Sequence, residues 1–157
     1  MSKNVVHIVL NSFVQDSRVR RECKSLAKEG YKVTVLALYE DSLEEQEEQD
    51  GYHIHRIKLL SKSLTKHPIV QVMKYAEFVL KAVLQINKIR PQIIHGHDPN
   101  GLFPAWLAKI LWKSKLIYDS HEYWRDAVHQ RGRYKSIFHF GVAIEKFCIK
   151  NADGVIT

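Results

Sequence analysis

The sequence has no long hydrophobic run. No apolar stretch approaches the ~20 residues that cross a bilayer, and Met1-Ser2-Lys3-Asn4 leads into an apolar strand without a signal-peptide cleavage region. Cysteine is nearly absent. Cys23 and Cys148 stand far apart in helical patterns, with neither metal-type spacing nor a disulfide framework, so a reducing cytoplasm is the expected compartment. Glycine is missing from the loop after the first apolar run, Asn11 to Ser17. That excludes the dinucleotide fingerprint and the Walker A loop, which need glycine for a tight turn and close backbone approach to phosphate. Basic residues are missing from Glu40 to Asp50, which holds seven carboxylates. The formal charge is +7, and the rest of the chain has 24 basic and 10 acidic residues, or +14. Such a surface suits an anionic partner, phosphates or an acidic membrane among them. No nucleic-acid-binding motif accompanies it, so no nucleic-acid partner is expected.

What is present is an alternation of strands and helices. The chain has 157 residues, 45% hydrophobic and 26% charged, which fits one soluble domain with a core of its own. Val5 to Leu10 has strand length. Asp16 or Ser17 caps a helix carrying Val19, Cys23, Leu26 and Ala27 at helical spacing, and Gly30 stops it. Lys32 to Leu38 is a second strand, the acidic stretch a loop or short solvated helix, and Tyr52 to Ile57 a third strand. A long helix opens at Pro68, with a predicted core face of Ile69, Val72, Met73, Ala76, Val79, Leu80, Val83 and Ile86. Pro91 ends it. A fourth strand follows at Gln92 to His95, then a helix from about Leu102 to Trp112, a fifth strand at Lys115 to Asp119, a helix at Tyr134 to Lys150, and Gly154 to Thr157. This order predicts an α/β fold: a doubly wound, mostly parallel, Rossmann-like sheet of order 3-2-1-4-5-6 with helices on both faces. The stop at Thr157, inside an apparent strand, reads as a piece of a longer protein.

Two strand ends turn abruptly polar: Ile93-Ile94-His95-Gly96-His97-Asp98 and Tyr118-Asp119-Ser120-His121-Glu122. In open α/β sheets ligands bind beyond the carboxyl ends of strands at the switch point. The loop Asn11 to Ser17, with Asn11 and Asp16, faces the same crevice. The helix after Asp16 offers free amides and a positive dipole end, with Arg18, Arg20 and Arg21 adding to the field. His95, His97, Asp98, His121 and Glu122 match no tight ligand motif, so no metal is expected, and His95 reads as a satisfied core histidine. Tyr123 and Trp124 suit a ligand wall. Lys74, Lys81 and Lys88 repeat every seven residues, as a solvated face or as a basic stripe for anionic lipid.

Four segments in order resemble the N-terminal domain of a GT-B glycosyltransferase of family four, the retaining nucleotide-sugar enzymes. They are Asp16-Ser17-Arg18-Val19-Arg20-Arg21-Glu22 with the following Leu26 to Leu36, then Ile93 to Asp98, Tyr118 to Glu122, and Ala152 to Thr157. The resemblance implies two Rossmann-like domains across a cleft. Residues 1–157 would be the acceptor-side domain, and a C-terminal domain, absent from this chain, would hold the donor. It implies His121 as the active-site histidine. It also implies that the His97-Asp98 loop lines the acceptor side, and with the strand-end reading the expected cleft residues are Asn11, Asp16, Arg18, His97, Asp98, Asn100, Glu122 and Tyr123. The implied partners are a nucleotide-sugar donor, as co-substrate with no cofactor, and a glycan or lipid-linked acceptor in polysaccharide biosynthesis. Peripheral contact with the inner face of an anionic membrane is also expected. The alternative is a stand-alone flavodoxin-like α/β binding or adaptor module, although Asn11 and Tyr118-Asp119 lack a receiver's acidic cluster and lysine.

Overall fold

A computed structural model describes residues 3–65, 67–120 and 135–156. In chain order the elements are β1 (Asn4–Ile8), α1 (Ser17–Lys28), β2 (Lys32–Leu38), β3 (Gln46–Gln49), β4 (Tyr52–Ile57), a 3-10 turn (Leu60–Ser63) and α2 (Pro68–Ile89). They continue with β5 (Ile93–His97), α3 (Asp98–Trp112), β6 (Lys115–Asp119), α4 (Lys135–Lys150) and β7 (Gly154–Ile156). The sheet runs β3-β4-β2-β1-β5-β6-β7 and is parallel except for β3, which pairs antiparallel with β4. Without β3 this is the doubly wound order expected from the sequence, with its switch point between β1 and β5.

The acidic stretch departs from expectation. Part of it forms the edge strand β3 rather than a loop or helix, because a buried arginine holds it there. Arg56, 2% exposed, pairs with Glu47 at 2.8 Å and donates to the Glu44 carbonyl at 2.8 Å and the Ser12 carbonyl at 3.2 Å. The carboxylates that remain on this edge discourage strand addition.

Strand side chains alternate between two cores. Val6, Ile8, Leu36, Ile94, Leu116 and Tyr118 pack with α2, α3 and Cys148 of α4, while Val5, Val9, Val33, Val35 and Ile54 pack under Val19 and Cys23 of α1. Asp16 caps α1 as expected, accepting from the Val19 amide at 3.2 Å. Two glycines let the start of α3 lie on the sheet. A Cβ on Gly101 would meet the Ile8 carbonyl oxygen at 2.3 Å, and one on Gly96 would meet the Leu102 Cα at 2.7 Å. Helix α3 therefore begins at Asp98, four residues earlier than the sequence pattern suggests, and brings Asn100 onto the sheet edge.

Helix α2 is rotated from the predicted core face. Phe78, Val79, Ala82 and Ile86 are buried, whereas Ile69, Val72, Met73 and Leu80 are exposed. This helix is apolar around much of its circumference, so periodicity alone could not orient it. Polar contacts do. Glu77 accepts from the Leu60 and Ser61 amides at 2.7 and 3.0 Å, and the Tyr75 hydroxyl donates to the Asn100 carbonyl at 2.9 Å. Lys74 and Lys81 of the seven-residue lysine repeat, read as a solvated face or a basic stripe, bind back onto the chain instead, donating to carbonyls of Lys62, Leu64 and Lys58.

Candidate functional site

The carboxyl ends of β1, β5 and β6 place one polar group beside another on a single face of the sheet. Register pairs His7 with His95 and His97 with Asp119. His97 shares that face because it lies two residues beyond His95. The face is the one α1 covers, and Arg18 and Glu22 reach it from one turn to the next. His7 Nδ1 lies 2.9 Å from His97 Nε2, and His97 Nδ1 lies 3.3 Å from Asp119 Oδ2. Arg18 Nη2 donates to Asp119 Oδ1 at 2.8 Å and its Nε lies 3.6 Å from Glu22. The Asp119 carboxylate favours a proton on His97 Nδ1. His97 Nε2 then accepts, and His7 donates through Nδ1.

Burial sets the protonation of His7 and His95. His7 is held well below the ordinary histidine range, first by burial and then by the neighbouring imidazoles. His95 is lowered to about 4 by burial, with His97 adding to the effect and Asp119 opposing it. Both are neutral at physiological pH.

Above this row lies a small cavity of about 60 Å³, lined by Val9, Leu10, Asn11, Asp16, His97, Asp98 and Asn100. Asn11 shapes its rim. The side-chain oxygen accepts from the Phe13 amide at 2.8 Å, and the side-chain nitrogen donates to Asp16 at 3.3 Å. Phe13 takes a left-handed φ of 60° where many loops use glycine. Its ring is fully buried against Tyr52 and under the Arg20 guanidinium. Asp98, at φ 55°, makes the second left-handed turn of the site, where β5 passes into α3. A larger concavity, about 480 Å³, sits at the opposite end of the sheet among Lys3, Arg90, Lys113 and Lys115. It touches none of the histidines, and the strand-end rule points away from it.

Residues 15–157 match the glycosyl transferase 4-like domain. The chain belongs to that family. No curated protein matches the sequence significantly. Among solved structures the domain is similar to sucrose-phosphate synthase of Thermosynechococcus elongatus, with a TM-score of 0.74 at 17% identity over 98% of this chain and 41% of that one. MurG of Acinetobacter baumannii superposes with a TM-score of 0.58 at 12% identity, over 98% of this chain and 40% of the other. Starch synthase IV of Arabidopsis thaliana, bound to ADP and acarbose, gives 0.58 at 16% identity, over 78% and 34%. At these identities the likeness concerns the fold, that of the N-terminal domain of a GT-B glycosyltransferase. The chain spans well under half the length of these three proteins.

Within this glycosyl transferase 4-like domain, five of the expected cleft residues meet in one cavity: Asn11, Asp16, His97, Asp98 and Asn100. Arg18 joins them through Asp119. His121, Glu122 and Tyr123 lie outside the described residues. The arginines at the start of α1 are more committed than a free anion site requires, since Arg18 binds Asp119 and Arg20 donates to the Phe13 carbonyl at 3.3 Å. Sequence reasoning missed His7, Glu22 and Asp119 as members of the site. It also read His95 as a satisfied core histidine, yet the buried His95 Nδ1 has no hydrogen-bond partner among the described residues. The signal available was His7 itself, the one polar residue in Val5-Val6-His7-Ile8-Val9 and in phase with the face under α1.

Proposed function

We propose that this chain is the acceptor-side domain of a retaining, hexosyl-transferring glycosyltransferase. It would move a sugar from a nucleotide-sugar donor to a glycan or lipid-linked acceptor. The supporting observation is that a family match over 15–157 coincides with a built polar edge at the switch point of the sheet. The nucleotide sugar is co-substrate, and the reaction draws on no organic cofactor. A second domain supplies the donor-binding wall, so residues 1–157 alone transfer no sugar.

In this reading Asp98 and Asn100, held by the start of α3, contact acceptor hydroxyls. Asn11 and Asp16 line the side nearer the donor. His97 is oriented by Asp119 and lines the cleft floor. His121, two residues beyond Asp119, stands closest to the transferred sugar, where a hydrogen bond to a hydroxyl or developing charge lowers the barrier. Arg18 acts through Asp119 as a positioning residue. Work at the inner membrane face belongs to the same proposal, and the exposed apolar residues of α2 support it. Among the described residues no helix is long and apolar enough to cross a membrane.

The test is turnover of the full-length protein against a panel of nucleotide sugars, with the anomeric configuration of the product read by NMR. Transfer with retention is expected. His121→Ala should lower kcat by about 100-fold or more, the range for losing one stabilising donor, while the thermal midpoint stays within error. An inverted product overturns the retaining mechanism, and near-normal turnover removes His121 from the site. Transfer by residues 1–157 alone overturns the two-domain reading.

A further inference from the structure

Four potential ligands converge beneath the cleft. One ligand-type atom from each of His7, Glu22, His95 and His97 can be chosen so that all four lie within 4.8 Å of one another. The three imidazoles are buried, and their ring centroids stand 4.5, 5.2 and 6.1 Å apart. His7 Nε2 and His95 Nδ1 are buried with no hydrogen-bond partner among the described residues, though an orphaned buried nitrogen is costly. His7 is fully buried and His95 is 8% exposed, so water has little access to either ring. We propose that His7, His95, His97 and Glu22 bind one divalent transition metal ion, with zinc the ion their chemistry suits best.

Three imidazoles and one carboxylate are ordinary zinc donors, whereas magnesium and calcium prefer all-oxygen sets. Zinc–nitrogen bonds of about 2.0–2.1 Å put tetrahedral donors about 3.3 Å apart, so the cluster closes by rotamer adjustment rather than by refolding. Asp119 has the place of the outer carboxylate that typically supports a ligating histidine, 3.3 Å from His97 Nδ1, so His97 binds through Nε2 and exchanges its hydrogen bond with His7 Nδ1 for the metal. Four protein donors fill a tetrahedral shell and leave no position for water or substrate. The ion is therefore structural. It ties β1, β5 and α1 together under the cleft floor, and no step of sugar transfer passes through it.

The experiment uses the purified full-length protein without a polyhistidine tag, stripped with dipicolinate and titrated with zinc or cobalt(II). One equivalent of zinc is expected, bound more tightly than micromolar, with the visible absorption of four-coordinate cobalt and a raised thermal midpoint. His7→Gln and His95→Gln should each weaken zinc binding by about 100-fold, and Asp119→Asn by about 10-fold or more. His53→Gln, at an exposed histidine distant from the cluster, should change nothing. Where His7→Gln lowers the far-UV circular dichroism of the apoprotein, His95→Gln and Glu22→Gln carry the test. No bound zinc overturns the proposal, as does wild-type affinity in the histidine variants. These readouts need no sugar transfer, so failure here leaves the proposed function standing, and failure there leaves the metal site standing.

Discussion

Arg56 heads the fully buried side chains by size, an unusual place for a cation. Its guanidinium is spent on Glu47, the Glu44 carbonyl and the Ser12 carbonyl, so it joins the acidic edge to the loop that forms the cavity rim. Removing the guanidinium leaves the Glu44 and Ser12 carbonyls without their donor and opens a void at a buried side chain, whereas Glu47, 36% exposed, turns to water. Arg56→Ala should therefore cost about 2–3 kcal/mol in urea denaturation, the range for buried groups left unsatisfied, and the loop from Asn11 to Ser17 should lose amide-exchange protection first. A cost below 1 kcal/mol would show that Arg56 is dispensable to the edge, about what an exposed pair contributes. The residue itself was visible in Tyr52 to Ile57, but its burial was not. Strand alternation assigns a face, and only the arrival of β3 turned that face into an interior.

At the scale of elements, α2 and α3 are coupled by a repaired backbone defect. Pro104 lies inside α3 and has no amide to donate to the Asn100 carbonyl, four residues earlier. The Tyr75 hydroxyl of α2 supplies the missing donor at 2.9 Å. Tyr75→Phe should cost about 1 kcal/mol by thermal or chemical unfolding, the net worth of one hydrogen bond. An unchanged midpoint would mean that water serves Asn100 equally well. The other anchor of α2 is Glu77. Burial raises its pKa, but Lys81, Ser61 and the Leu60 and Ser61 amides outweigh burial and bring it down to about 2 from an ordinary 4.5. A depressed carboxylate stabilises the fold above its unfolded pKa, and that contribution is lost as pH falls through the folded value. The thermal midpoint of the native protein should thus exceed that of Glu77→Gln at neutral pH and converge on it between pH 4.5 and about 2. A constant gap across that window would assign the difference to packing. Helix ends were largely legible, since Asp16, Pro68 and Pro91 act within one turn. The rotation of α2 was not, because Tyr75 and Glu77 find their partners 25 and 16 residues away.

For the molecule as a whole, the rotation of α2 matters. Its outward face carries Ile69, Val72, Met73 and Leu80, with Leu60 beside it 87% exposed. With the surplus of basic charge elsewhere, such a face suits the surface of an anionic bilayer. The full-length protein should co-sediment with vesicles containing phosphatidylglycerol and not with pure phosphatidylcholine. Met73→Glu with Leu80→Glu should weaken that binding by about tenfold. Equal sedimentation of the double variant, or none of the native protein, would overturn the proposed membrane contact through α2.

The doubly wound order was determined by the sequence itself, because strand length, helix length and capping residues are local properties read along the chain. The strand ends at His97 and Asp119 followed from the same local logic. Tertiary structure alone decided which polar groups share a face. Three parallel strands in one register bring His7, His95, His97 and Asp119 from sites up to 112 residues apart, and α1 lays Arg18 and Glu22 over them. Register and helix rotation are cooperative choices, made when two cores close at once. No single segment encodes them, so a lone histidine in an apolar strand does not announce its neighbours.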